Sequence, residues 1–286
     1  MISVVIPAYN ECGAIADTVS KVRDVLEKAG LDGEILVVDD GSGDDTCVLA
    51  RQAGAKVVRH PHNVGYGRSL KSGIEASSND TIVITDADGT YPIESIPDLV
   101  EHFNQGFDMV VGARTGMHYR GSSLKWPMRI FLRFLVEWTT GRSIPDINSG
   151  LRVFSRQTVM GYFSHLCDTF SFTTSMTLAY MMTGRFVAYM PISYAERIGK
   201  THVRLWRDSL RTLQFIIQAI TYYNPLKIFL LMSLTCVWIS AFSVLIGLIF
   251  RLATGLMMGV ASLVAAIILF GLGLLADLLR QIMGKS

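Results

Sequence analysis

Two long stretches without charge constrain this chain more than any other feature. Ile228 to Phe250 and Leu252 to Ala276 run for 23 and 25 residues with no Asp, Glu, Lys or Arg. About 20 apolar residues in a helix cross the hydrocarbon core of a bilayer, so each run is long enough to span. Only Arg251 separates them. The link, around Arg251–Gly255, is short, which predicts a helical hairpin with both ends on one side of a membrane. Arg204, Arg207, Arg211 and Lys227 precede the pair, and Arg280 and Lys285 follow it; the positive-inside rule puts that side in the cytoplasm. With neither run carrying an ionisable group, the pair reads as an anchor, open also to a lipid-guiding role or a homo-oligomer contact, and not as an ion path. Half of the 286 residues are hydrophobic and 17% are charged, against about 25% in an average soluble domain. That excludes a disordered chain and disfavours an ordinary soluble enzyme. Ile2–Ile6 is too short for a signal peptide, and the four scattered cysteines read as free thiols of a reducing compartment.

The near-neutral total hides a strong asymmetry. Residues 1–113 carry 8 Lys/Arg against 18 Asp/Glu, a net of −10; residues 114–225 carry 14 against 5, a net of +9. In the acidic part, short β-branched runs alternate with helical spacing. Strands are expected at Ile2–Ile6, Glu34–Val38, Lys56–Arg59, Thr81–Thr85 and Asp108–Val111, with helices over 13–29, 44–54, 66–77 and 93–104. This pattern predicts a Rossmann-like α/β domain with a mostly parallel sheet covered on both faces. Such sheets bind ligands beyond the carboxyl ends of their strands. In the basic part, residues 124–140 and 203–222 mix aromatics with Arg and Lys, which predicts amphipathic helices lying at the membrane interface. The expected organisation is a domain over 1–202 (interfacial helix about 124–140), a juxtamembrane helix over 203–225, and a hairpin over 226–286 with helices at about 228–250 and 254–276.

Three of the expected strand ends are polar: Pro7-Ala8-Tyr9-Asn10-Glu11, Asp39-Asp40-Gly41-Ser42 and Asp86-Ala87-Asp88. Two carboxylates one residue apart at a strand end can hold a hard dication such as Mg²⁺ or Mn²⁺, which takes few protein ligands and completes its shell from diphosphate and water. A carboxylate after the second strand can accept N–H or ribose O–H bonds, or form a helix-capping turn. No GxGxxG follows the first strand, which argues against a dinucleotide cofactor. His60 and His62 read as loop residues, since no third metal ligand is near. Asn63 and Lys71 are weaker candidates for nucleotide contact.

Taken together, VVIPAYNE (4–11), VVDDGSGDDT (37–46), HNVGYG (62–67), DAD (86–88) and GAR (112–114) resemble the cytoplasmic GT-A domain of family 2 glycosyltransferases. DINSGLRVF (146–154), PISYAERIGKT (191–201) and the hairpin extend the resemblance, over nearly the whole chain, to polyisoprenyl-phosphate glycosyltransferases. The resemblance implies that Pro7, Tyr9 and Glu11 line the nucleotide and that Val38 and Asp40 meet base and ribose. It implies that Asp86, Ala87 and Asp88 hold the diphosphate through the metal, Asp88 most directly. Arg114 falls near the acceptor phosphate, with Arg129 a second basic candidate, and Arg197 and Lys200 fall in a segment that closes over the diphosphate. Thr90 stands where relatives carry Gln or Ser near the sugar. A Lys or Glu of the relatives is missing from SFTTSMTLAY (171–180).

The implied reaction is inverting transfer of a sugar from a UDP- or GDP-linked donor to a polyprenyl phosphate at the bilayer, with no nucleic acid as partner. A hydroxyl acceptor needs a base to take its proton, whereas a lipid phosphate is already anionic. The chain has no Glu-Asp pair, the usual place of such a base, and no QxxRW, the signature of processive synthases. If a carboxylate does assist, Asp146 is the nominee; its other reading is a loop Asp that fixes backbone N–H groups. The rival readings are a membrane glycosyltransferase acting on a hydroxyl of a glycolipid or polysaccharide, and a non-catalytic membrane-anchored binding protein.

Overall fold

A computed structural model describes residues 1–115, 134–195 and 205–283. The described chain falls into two compact units, Met1–Ile216 and Ile217–Ser286. The first is built on a seven-stranded sheet of order β3-β2-β1-β4-β6-β5-β7. Its strands are β1 (Ile2–Ala8), β2 (Gly33–Asp39), β3 (Lys56–Arg59), β4 (Thr81–Ile84), β5 (Met109–Thr115), β6 (Arg152–Ser155) and β7 (Val187–Ser193). The helices between them are α1 (Ile15–Lys28), α2 (Thr46–Gln52), α3 (Tyr66–Ala76), α4 (Ile96–Asn104), α5 (Arg156–Met160) and α6 (Phe172–Met182).

The expected elements of the first 111 residues are present with ends shifted by a few positions. β1 is buried along its whole length because β2 and β4 flank it in parallel and helices cover it, hence its run of apolar residues with Ser3 the one polar member. α1 buries Ile15, Val19, Val22 and Leu26, one stripe at helical spacing. It ends at Gly30, whose φ of +62° suits a residue without a Cβ, and Leu31 N–H returns to the Leu26 carbonyl at 2.9 Å.

The sheet is mostly parallel, as the alternating pattern predicts, and a single antiparallel strand makes it mixed. β6 was not anticipated, and it runs antiparallel to both neighbours, with Ile84 opposite Arg152 on one side and Val111 opposite Arg152 on the other. β7, also unanticipated, closes the edge in parallel with β5. The antiparallel strand positions the site. Because β6 starts where β4 ends, the segment leading into it, 146–151, lies on the same rim as Asp86-Ala87-Asp88. The same geometry brings the end of β5, with Arg114, to that rim.

The second unit consists of the last turns of α7 (Leu205–Tyr223) and two long helices, α8 (Pro225–Ile249) and α9 (Ala253–Met283). Both long helices are long and apolar enough to cross a membrane. Only 11% and 17% of their spanning windows are buried, so they are not the core of a soluble domain. The turn is as short as expected and shifted by one residue: α8 ends at Ile249 and α9 resumes at Ala253, after Arg251 adopts φ +50°. It also continues past 276, where Asp277 pairs with Arg280 at 3.0 Å. The helices meet along a seam of small residues. Ser233 Oγ donates to the Ala266 carbonyl at 2.9 Å and Ser240 Oγ to that of Gly259 at 2.7 Å. A Cβ on Gly255 would stand 2.8 Å from the Gly247 Cα, and neither backbone can yield. Gly255→Leu should therefore lower the thermal unfolding midpoint in micelles by several degrees. Gly271→Ala, with nothing within 4 Å, should leave it unchanged or slightly raised. Scanning fluorimetry of the two variants checks this.

Candidate active site

The rim is assembled from loops that hold one another. After β1, Asn10 takes φ +55°; its N–H donates to Ser42 Oγ at 2.9 Å and its Oδ1 accepts from Gly43 N–H at 2.9 Å. Glu11 N–H donates to Thr46 Oγ1 at 2.9 Å. The loops after β1 and β2 thus form one shelf, with Tyr9 and Glu11 half-buried on it and Pro7 buried behind. Val38 is wholly buried, its side chain against Gly73 of α3, so it can offer a ligand only its backbone.

Asp40 is engaged more fully than the sequence suggested. Its carboxylate accepts from Val64 N–H at 3.0 Å and Gly65 N–H at 2.9 Å, and His60 Nδ1 lies 2.7 Å away. His60 in turn reaches Ser72 Oγ at 3.0 Å. The pair organises the 60–65 loop, with both His60 ring nitrogens engaged in it.

Asp86 is half-buried and Asp88 buried. The Tyr66 hydroxyl donates to Asp86 Oδ1 at 2.9 Å. Burial, with the Asp86 carboxylate beside it, pushes the Tyr66 phenol well above its ordinary pKa, so it stays a donor. Asp88 Oδ1 accepts from both the hydroxyl and the N–H of Thr90, at 2.7 and 3.2 Å. Thr90 is wholly buried, and its hydroxyl orients Asp88. The Ala87 carbonyl accepts from Thr18 Oγ1 at 3.1 Å. Among the described residues no group of three or more His, Cys, Asp or Glu could hold a metal. Two hard carboxylates alone fit a dication that draws its remaining ligands from a diphosphate and water.

Arg114 and Asp146 form a bidentate pair, Nε to Oδ2 at 2.7 Å and Nη2 to Oδ1 at 2.9 Å. Asp146 also accepts the N–H groups of Arg114 and Asn148, each at 3.1 Å. A carboxylate offers about four acceptor sites, and these contacts engage all of them, on a residue only 2% exposed. Asp146 therefore clamps Arg114 and fixes its own loop, the second of the two roles its sequence allowed. The Arg114 guanidinium also lies 5.3 Å over the Tyr194 ring, and that ring makes a T-shaped contact with Tyr91.

Sequence reasoning missed Arg152. Wholly buried, it donates to the carbonyls of Ser149 at 2.7 Å and Ile147 at 2.8 Å, and to Thr177 Oγ1 at 2.7 Å. Burial draws its pKa down, opposed by Tyr189 and Asp146. It holds the 146–150 loop from beneath, while Thr174 Oγ1 holds Asn148 Oδ1 from α6. Lys71 is likewise not a nucleotide contact: it is buried, donating to the Leu166 carbonyl at 2.6 Å and pairing with Asp168 at 2.7 Å. Gly67 explains the neighbouring motif, since a Cβ there would sit 2.4 Å from the Cys167 carbonyl oxygen. Arg129, Arg197 and Lys200 lie outside the described residues.

Comparison with known proteins agrees with this architecture. The chain is 28% identical over 201 residues to the dolichyl-phosphate hexose transferase of Haloferax volcanii, covering 70% of this chain and 85% of that protein. It is 28% identical over 301 aligned positions to the undecaprenyl-phosphate 4-deoxy-4-formamido-L-arabinose transferase of Salmonella typhimurium, covering 98% and 88%. Among solved structures, glucosyl-3-phosphoglycerate synthase of Mycobacterium tuberculosis, crystallised with Mn²⁺, UDP and phosphoglyceric acid, superposes with a TM-score of 0.64. It is 22% identical, over 77% of this chain and 78% of that one, and so shares the fold. The sequence profile of glycosyl transferase family 2 matches residues 3–163, more than half of the chain, and the chain belongs to that family.

Proposed function

We propose that the chain transfers a sugar, with inversion, from a nucleotide-diphosphate sugar to a polyprenyl phosphate at the cytoplasmic face of a membrane. Residues 1–202 are read as the catalytic domain, 203–225 as a juxtamembrane helix, and 226–286 as the anchor, both termini cytoplasmic. Pro7, Tyr9, Glu11, the Val38 backbone and Asp40 form the nucleotide side. Asp86 and Asp88 would hold Mg²⁺ or Mn²⁺, which when bound would offset the charge of the leaving diphosphate.

The observation that carries the reading is the Arg114–Asp146 pair. In it the Asp146 carboxylate is engaged by four N–H donors, which supports reading it as a clamp, and Arg114 as the group that would meet an acceptor phosphate. An acceptor phosphate needs that arrangement: its oxygen attacks the anomeric carbon as the bond to the nucleoside diphosphate breaks, and no proton has to leave. Arginine suits a phosphate because its fork matches two oxygens at once. The relatives named for dolichyl- and undecaprenyl-phosphate transfer support the same acceptor class. The apolar hairpin would keep the enzyme where such an acceptor is dissolved, raising its effective concentration.

The test is mass spectrometry of lipid products formed by the purified full chain with Mg²⁺, a panel of UDP- and GDP-sugars, and either a polyprenyl phosphate or the matching free prenol. A phosphate-linked sugar with the first acceptor and nothing with the second is expected. Transfer to the free prenol, or no product from any donor, overturns the proposal.

A further inference from the structure

Asp86 and Asp88 are held in place by different means. Asp88 is locked within its own turn by Thr90. Asp86 is held by groups remote in sequence. The Tyr66 hydroxyl reaches its Oδ1 from the first turn of α3. On the other side lies Gly150: a Cβ built there would stand 2.9 Å from both Asp86 oxygens and 3.0 Å from the carboxyl carbon, its three nearest atoms. The glycine is itself fixed. Its N–H donates to the Tyr91 hydroxyl oxygen at 2.6 Å, and the preceding Ser149 donates Oγ to the Gly112 carbonyl at 2.5 Å. Arg152 Nε grips the Ser149 carbonyl from below.

We propose that Gly150 and Tyr66 are positioning residues that seat the Asp86 carboxylate, and that position 150 is glycine because the carboxylate occupies the space of its side chain. The proposal rests on the reading of Asp86 as a metal ligand given above. Backbone conformation supplies no competing reason for the glycine, since Gly150 is not among the glycines with positive φ. An alanine there would meet only the end of a flexible side chain among its nearest atoms. The fold should therefore absorb the methyl by turning Asp86 away, and the damage should fall on the metal site.

The test is calorimetric binding of UDP and GDP to the full chain in micelles across a Mn²⁺ titration, for wild type, Gly150→Ala and Tyr66→Phe, with thermal unfolding of each. Loss of one hydrogen bond to a charged group should raise half-saturating Mn²⁺ about tenfold in Tyr66→Phe. Gly150→Ala should raise it at least as much, with the unfolding midpoint held. A merely structural role would move the midpoint and not the metal titration. If wild type binds both nucleotides equally well in EDTA, the metal reading falls and the seat with it. If wild type depends on Mn²⁺ and a folded Gly150→Ala titrates like it, the seat alone falls. Should Gly150→Ala not fold, Tyr66→Phe decides by the same criterion.

Discussion

Asp88→Asn is expected to reduce kcat/KM on the order of 10³-fold, about 4 kcal/mol of transition-state stabilisation, while leaving the unfolding midpoint unchanged. Asparagine keeps an oxygen that can accept from Thr90, so the turn survives; what is lost is negative charge where a dication would sit. Removing a single preorganised electrostatic group from an active site costs 10²–10³ in rate as a rough rule, and losing a metal ligand stands at the upper end. Asp88→Ala should match the loss of activity but also destabilise, because the Thr90 hydroxyl and N–H would then be buried without their acceptor, at about 1–3 kcal/mol. Steady-state kinetics and thermal unfolding of the two variants separate these effects. Activity in Asp88→Asn within tenfold of wild type would remove Asp88 from the chemistry.

Asp146→Ala should fail differently. Breaking a buried ion pair by deleting one partner costs about 3–5 kcal/mol, because the remaining charge is stranded. Here the deletion also leaves the N–H groups of Arg114 and Asn148 without their acceptor. The unfolding midpoint should drop by about 10 °C for a chain of this size, and transfer should fall with it as Arg114 leaves its clamp. The double variant Asp146→Ala/Arg114→Met has no stranded charge and should recover part of the stability with none of the activity. If activity returned along with stability, Arg114 would have no part in transfer.

The contrast between these residues shows what the sequence could convey. Asp86 and Asp88 were legible as candidates because two carboxylates one residue apart follow an apolar strand, where ligands of such sheets bind, and the fold places that segment on the rim. The strands of the acidic half were legible because each is a short apolar run bounded by a helical pattern. β6 was not: it has four residues, opens on an arginine, and is buried on both faces, so it shows neither alternation nor a continuous apolar run. Its direction depends on pairing with β4 and β5, which are distant in sequence. The roles of Thr90, Lys71, Tyr66 and Asp146 were hidden as well. Each was visible as a polar residue in a motif, but for Lys71, Tyr66 and Asp146 the partner lies 20 or more residues away and is set by the tertiary fold, while the Thr90–Asp88 contact depends on the shape of a local turn. The residues at 129, 197 and 200 remain expectations drawn from resemblance.

The strand order has a consequence for synthesis. β1 through β4 form a contiguous half-sheet, complete once residue 84 has emerged from the ribosome. β5 follows at 109–115 but has no neighbour in that half; both of its partners, β6 and β7, are still to be made. Until residue 155 appears, the nascent chain carries two unsatisfied edges, the outer side of β4 and the whole of β5. Open edges of this kind invite pairing with other chains. A single four-residue strand arriving late stitches both at once, and the loop just ahead of it completes the ring of polar side chains in the same event. Joining the two parts of the sheet and bringing the 146–151 loop beside Asp86 are therefore one event, after which β7 covers the remaining edge of β5.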